Sequence, residues 1–345
     1  MSAPSPSSDR SPTPSAAPRR DYSEWAPVLT LGVLVLFFGM LTQNFFSLNT
    51  LENVLKQGSV LAIVSVGLTF VLLCGEIDLS VGMVALWTAC LCGVMWESSW
   101  AAGPGGKQHA AVGWPTLIAV LVLPLLTSLA FGLVSGTLTV LSRLPSFIIT
   151  LSMMNIAVGL ARYLTRSEKF APPRLLIDVG NNGLSLGRGN ILPNSAVLAA
   201  VVLLIGHLVL QHTRFGRYVY MTGGNREAAR LAGVRTRSVV VACLGICAFT
   251  AGLGGLVNSG RLEAVSLDQN ADLLLNAVAC VVLGGTSLFG GEGGMRHTLL
   301  GVITFQVLHY GLNRITWIDD LMRPFLLGVV LLVALVMNGL IKRRR

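Results

Sequence analysis

Two carboxylates stand where lipid-facing sequence should hold none. They are Glu76 and Asp78, in the stretch CGEIDLSVG at 74–82 between two long apolar runs. An acid at membrane depth is usually paired, faces a cavity or marks a pathway, because an isolated charge there is costly. Gly75 can end one helix, and Asp78 or Ser80 can cap the free amides that open the next, which accounts for Asp78 by local structure alone. Glu76 has no such capping explanation. Its position favours a broken helix that lines a translocation route.

The most polar internal stretch, FGRYVYMTGGNREAARLAGV at 215–234, spells a short, self-contained helix. Gly223-Gly224 breaks the chain, Asn225 can act as N-cap, Glu227 lies in the first turn, Arg230 lies towards the end and Gly233 can close it. Ala228, Ala229 and Ala232 give that helix a small-residue face, which the groove of another protein can approach closely. The plainer reading is a basic loop that fixes topology, yet topology needs charge and not a capped helix.

A third segment, LNAVACVVLGGTSLFGGEGG at 275–294, ends an apolar run in a glycine-rich turn containing Glu292. Neither this turn nor any other part of the chain has the G-x-x-x-x-G-K-[ST] pattern, so the chain does not bind ATP by a P-loop. Gly284, Gly285, Gly290 and Gly291 fit close helix packing and a hinge instead. Gly75 and Gly285 end similar apolar runs, a hint of internal repetition.

Enzyme chemistry finds little support. His109, His207, His212, His297 and His309 form no zinc-binding spacing, and no nucleophile has a plausible base beside it. Cys74, Cys90, Cys92, Cys243, Cys247 and Cys280 all fall in or beside apolar runs and read as small buried hydrophobes.

The elements that must position these residues are membrane spans. The chain is 53% hydrophobic and only 12% charged, with a mean hydropathy of +0.69, which places it among integral membrane proteins. Its apolar blocks have the length a helix needs to cross a hydrocarbon core about 30 Å thick. Ten candidate spans follow, at 26–46, 58–74, 81–95, 117–141, 147–164, 196–210, 239–257, 273–283, 298–312 and 325–341. The result is an all-α, polytopic bundle of about ten transmembrane helices preceded by a Ser- and Pro-rich tail, 1–24, expected to be disordered. The net charge of +9 sits in loops and at the chain ends rather than in a basic domain, which argues for topology and against nucleic acid. Its two densest clusters, 214–237 and 342–345, fall on one side if both termini face the cytosol. Trp25, Trp96, Trp100, Trp114 and Trp317 stand near span ends, as an aromatic belt requires, and the segments 96–114 and 166–194 offer an outer docking surface.

Taken together, these segments resemble the membrane-spanning permease subunits of bacterial ABC importers for simple sugars, the ribose, xylose, arabinose and galactose group. The G-x-I-D-L-S-V-G signature of that family is matched from Gly75 to Gly82, and its G-G-N-x-x-A-A-R-L-x-G-[IV] pattern from Gly223 to Val234. Its V-L-G-G-T-S-L-x-G-G pattern is matched from Val282 to Gly291, and LPSFIITL at 144–151 looks like its P-x-F-I-x-T-L segment. The resemblance runs from about residue 51 to the end. Met221 stands where the family commonly has Ala. Asn276 stands where it commonly has an acid, which makes it a candidate solute contact, and it joins Gly75, Glu76, Asp78 and Ser80 as residues of the translocation path or helix break.

The resemblance implies a type II-like importer permease, 25–345, in the bacterial inner membrane. It implies a separate ABC ATP-binding subunit that carries ATP and Mg, while this chain binds no cofactor. It also implies a periplasmic or lipid-anchored sugar-binding protein and a second permease chain, most simply an identical copy. The segment 213–238 would be the cytosolic coupling region, with Asn225 to Gly233 as the helix that enters the ATPase. A pentose such as xylose or ribose is the favoured solute; relatives carry inositol, nucleosides or an autoinducer-2-like molecule. An ion-coupled secondary transporter is the nearest rival, since it too uses broken helices and buried acids, but it needs no capped cytosolic helix.

Overall fold

The computed structural model describes residues 26–98, 113–185, 190–315 and 319–343. The expected tail, most of the 96–114 segment, Trp25, Trp100, Trp317 and the last two residues lie outside them. A helix forms at each of the ten expected spans: α1 (Ala26–Leu41), α2 (Leu48–Leu73), α3 (Val81–Glu97), α4 (Trp114–Ser142), α5 (Ser146–Thr165), α7 (Asn194–His212), α10 (Thr236–Leu262), α11 (Leu273–Leu283), α12 (Met295–Arg314) and α13 (Arg323–Arg343). Three shorter helices join them, α6 (Arg174–Asn181), α8 (Arg214–Gly224) and α9 (Arg226–Leu231), with one small hairpin, β1 (Gly183–Ser185) against β2 (Asn190–Pro193).

Five helices are long and apolar enough to cross a membrane by length and composition, namely α2, α4, α5, α7 and α10. They divide into two layers. The most apolar stretches of α2 and α10 are 78% and 72% buried, whereas those of α4, α5 and α7 are only 22% buried. The sequence of the outer helices explains why. The buried stripe of α4 is Val120, Pro124, Ser128, Gly132, Ser135, Gly136 and Thr139, while Leu123, Leu126, Leu133 and Leu138 point outward. Small residues inside and large apolar residues outside are the pattern of a helix that packs on protein and dissolves in lipid. The hydroxyls in that stripe return to their own helix, as Ser135 Oγ does to the Phe131 carbonyl at 2.8 Å.

Buried α10 answers with small residues of its own. A Cβ on Gly255 would collide with the Ala85 carbonyl of α3, and one on Gly132 of α4 with the Leu244 carbonyl of α10. Helix α6, with the hairpin beside it, covers the far end of α10, where Asn181 Nδ2 donates to the Gly260 carbonyl at 3.1 Å. All six cysteines are buried and free. Trp114 is exposed, but Trp96 packs in a cluster with Cys92, Val120, Leu176 and Leu256, so it fills a protein core rather than an interfacial belt.

Candidate functional site

Three helices end in the same way. After α2, the amide of Glu76 donates to the Val71 carbonyl and that of Gly75 to the Leu72 carbonyl, with Gly75 at φ +76°. After α11, Thr286 donates to Val281 and Gly285 to Val282, with Gly285 at φ +107°. After α9, Val234 donates to Ala229 and Gly233 to Arg230, with Gly233 at φ +81°. Each is the paired-bond terminus in which a left-handed residue turns the chain out of the helix, a conformation that glycine takes without strain.

The segments that follow these stops meet at one end of the bundle. The Gly291 amide donates to the Leu73 carbonyl at 3.0 Å, tying the glycine-rich turn to the end of α2. Gly223, in the last turn of α8, lies against that same carbonyl and against Gly290 and Gly291 so closely that any Cβ there would overlap the Leu73 oxygen. Tyr220 of α8 donates its hydroxyl to the Gly293 carbonyl at 2.9 Å, and burial raises the pKa of this phenol, so it keeps the proton it donates. The start of α5 completes the arrangement: the Ile77 amide donates to Ser146 Oγ and the Leu79 amide to Thr150 Oγ1, both at 3.0 Å. All four motifs that carry the resemblance therefore touch one another, although they are scattered from residue 75 to residue 291.

Glu76 is buried, and its Oε1 accepts from Nη2 of Arg226, the first residue of α9. This pair is the side-chain link between the α2–α3 junction and α9. Asp78 is 1% exposed, and its Oδ1 accepts from the amide and the hydroxyl of Ser80 at 2.8 and 2.6 Å, with the Cys247 thiol beside it. The capping expectation is corrected in one respect: Ser80 occupies the N-cap position of α3 but its side chain makes no cap bond. Asp78 instead holds Ser80 in place.

Helix α9 has the expected ends. Asn225 Oδ1 accepts from the Ala228 amide at 3.0 Å, and Glu227 pairs with Arg230 at 2.9 Å on the exposed side. Its small-residue face, however, divides. Ala229 is buried in the core, while Ala228 and Ala232 are exposed beside Leu231, which is 84% exposed. Phe289, in the glycine-rich turn at the same end, is 92% exposed. Sequence reading passed over Arg226, Ser146, Thr150, Leu231 and Phe289. The last two do carry a signal, a large apolar side chain in an otherwise polar or glycine-rich turn.

Asn276 is elsewhere. It stands in the first turn of α11 and lines a cavity of about 500 Å³ set between α2, α10, α11 and α12, with none of the α9 residues in its lining. The expected grouping of Asn276 with Glu76 is thus separated into two places, since Glu76 borders a different cavity, of about 850 Å³, with Arg143, Arg226, Arg230, Arg235 and Arg237. Helix α11 has 11 residues and is about 16 Å long, half of a hydrocarbon core. The non-helical chain leading into it, 266–272, lines the first cavity. Irregular backbone is tolerated at membrane depth where it borders such a space.

The family described as branched-chain amino acid transport system / permease component matches residues 50–335. The ribose import permease protein RbsC of Escherichia coli (strain K12) is 32% identical over 321 residues, covering 92% of this chain and 94% of its own. RbsC of Bacillus subtilis (strain 168) is 29% identical over 90% of this chain and 91% of its own, and the fructose import permease protein FrcC of Rhizobium meliloti is 27% identical over 92% and 85%. No solved structure matches.

Proposed function

Starting from the fact that this chain belongs to the family of branched-chain amino acid transport system permease components, we propose that it is the membrane path of an ATP-driven importer for a simple sugar. Relatives named for ribose and fructose import support a monosaccharide, and a pentose such as ribose or xylose is the favoured solute. ATP hydrolysis takes place on a separate ABC subunit, a sugar-binding protein delivers the solute from outside, and two copies of the permease form the path in the inner membrane.

One observation carries the assignment of roles: the four motifs converge at the end that displays α9. A capped helix that projects Ala228, Leu231 and Ala232, and whose first residue grips Glu76 at the α2–α3 junction, is built to receive a partner's motion and pass it to membrane helices. The density of arginine there, Arg214 to Arg237, supports a cytosolic position for this end, and hence for both termini. Gly75, Asp78, Ser80, Gly284, Gly285, Gly290 and Gly291 then serve as the hinge on which α2, α3, α8 and α12 meet, while Asn276 belongs to the path.

Reconstitution in proteoliposomes with the ATP-binding subunit and the binding protein tests this. Wild type takes up radiolabelled D-ribose or D-xylose only with ATP inside the compartment that holds the ATPase. Ala228→Glu, which puts a charge on the exposed face without disturbing a span, remains folded but loses both uptake and sugar-stimulated ATP hydrolysis. Ion-gradient-driven uptake by the permease alone, unchanged in the variant, would mark a secondary transporter.

A further inference from the structure

The cavity beside Glu76 carries a charge imbalance that the chain itself does not neutralise. Its lining holds five arginines, Arg143, Arg226, Arg230, Arg235 and Arg237, against two carboxylates, Glu76 and Glu227. Both carboxylates are already engaged, Glu76 with Arg226 and Glu227 with Arg230. The side chains of Arg143, Arg235 and Arg237 make no hydrogen bond or ion pair among the described residues, which leaves three unpaired positive charges around one space. Two of them also stand where helix electrostatics opposes them. Arg235 is the N-cap of α10 and Arg237 lies in its first turn, yet that turn holds no acid and Arg235 makes no side-chain cap bond. A cation at the positive end of a 27-residue helix is disfavoured, and an anion bound there relieves it. The amides of Arg237 and Ser238 have no acceptor among the described residues, and both residues belong to the cavity lining.

The rim of the cavity indicates what brings the anion. Leu144 and Pro145, in the turn between α4 and α5, line it too, and Leu141, Leu144 and Phe147 are exposed at the ends of these outer helices. The cavity thus lies where lipid-facing helices give way to the arginine-rich side, at the level of the headgroups. Helix α9 contributes Arg226, Glu227 and Arg230 to the lining, whereas Ala228, Leu231 and Ala232, the face assigned to the ATPase, are not part of it. The cavity and the docking face therefore use different sides of α9. A ligand with a phosphate for the arginines and acyl chains for the exposed leucines matches both halves of the rim, while a free phosphate matches only one. We propose that this cavity binds the phosphate of an anionic phospholipid, held by Arg143, Arg235 and Arg237, so that one headgroup joins the α4–α5 turn to the start of α10. The proposal rests on the cytosolic placement of the α9 end given above and adds a ligand to it.

Native mass spectrometry of the permease–ATPase complex, titrated in detergent with phosphatidylglycerol or phosphatidylcholine, tests it. Phosphatidylglycerol is expected to bind about tenfold more tightly, and Arg143→Gln/Arg237→Gln to remove that preference. Arg143→Lys/Arg237→Lys should retain most of it, because lysine serves a phosphate as a point charge, whereas a purely structural loss would not be rescued. Arg214→Gln/Arg217→Gln on α8 removes the same charge outside the lining and should keep the preference. Without phosphatidylglycerol, Arg143→Gln/Arg237→Gln should melt as wild type does, and the rise in melting temperature that this lipid gives wild type should vanish. No preference in wild type, an equal loss in the α8 variant, or displacement of the lipid by an equal concentration of glycerol phosphate overturns the proposal, the last by marking a site for soluble phosphate compounds. ATP-driven sugar uptake separates the two readings. Transport without any lipid preference rejects the site and keeps the importer; preference without transport rejects the importer and keeps the site.

Discussion

Glu76 and Asp78 are two positions apart and have different tasks. Asp78 is an acceptor for the amide and hydroxyl of Ser80. Asp78→Asn keeps an acceptor oxygen and is expected to fold, whereas Asp78→Ala strands a buried amide at a cost of about 1–3 kcal/mol, which a thermal melt in detergent would register. Glu76 instead reaches a residue 150 positions away. Arg226 is half exposed, so removing it should cost less than the ~3–5 kcal/mol of a fully buried pair; Arg226→Ala is expected to lower transport more than stability. That partnership was not legible in the sequence, because nothing local to Glu76 names a guanidinium so far along the chain. The anomaly itself was legible, as an acid between apolar runs. The hydrogen bonds that run from Arg261 through Asn258 to Asn270 were hidden for a related reason: Asn258 and Arg261 belong to a stretch that reads as ordinary helix, and Asn270 lies in a loop.

At the scale of elements, caps and close approaches set the hinge. Asn225→Ala removes the α9 cap bond at a typical cost of about 1 kcal/mol, so hydrogen exchange should show faster opening of the amides at 226–230 with the membrane helices unaffected. Gly223→Ala is expected to be far more damaging than Gly224→Ala. A Cβ at Gly223 overlaps the Leu73 carbonyl, and one at Gly224 meets open space. Comparable expression and melting temperature for these two variants would show that the α2–α8 contact is not tight. The helices at the ten expected spans were legible because apolar runs specify them, five of them long and apolar enough to cross a membrane. Helix α8 was not, since its arginines and three glycines contradict both an apolar run and a strong helix propensity, and it forms by packing Val219 and Phe215 on the core. Helix α6 was missed because eight residues of one amphipathic turn pattern are too few to stand out from a loop.

For the whole molecule, the layers and the two ends define a direction. Small-residue stripes hold α4 to α10, α7 to α2 and α5 to α3, the α9 end gathers the motifs and the arginines, and the opposite end carries the amide-lined cavity. Because the six native cysteines are buried, single cysteines placed at Arg230 and at Glu263 report topology cleanly. The first is expected to react with an impermeant maleimide only in inverted vesicles, and the second only in intact cells. The central claim is that movement of α9 reaches the membrane helices through Glu76 and Arg226. It is tested most directly by charge exchange in the reconstituted importer, measuring ATP-driven sugar uptake and ATP hydrolysis for Glu76→Arg, Arg226→Glu and the two combined. The account predicts that each single exchange uncouples hydrolysis from uptake and that the double exchange restores much of it. Single losses that simply add in the double variant would contradict it.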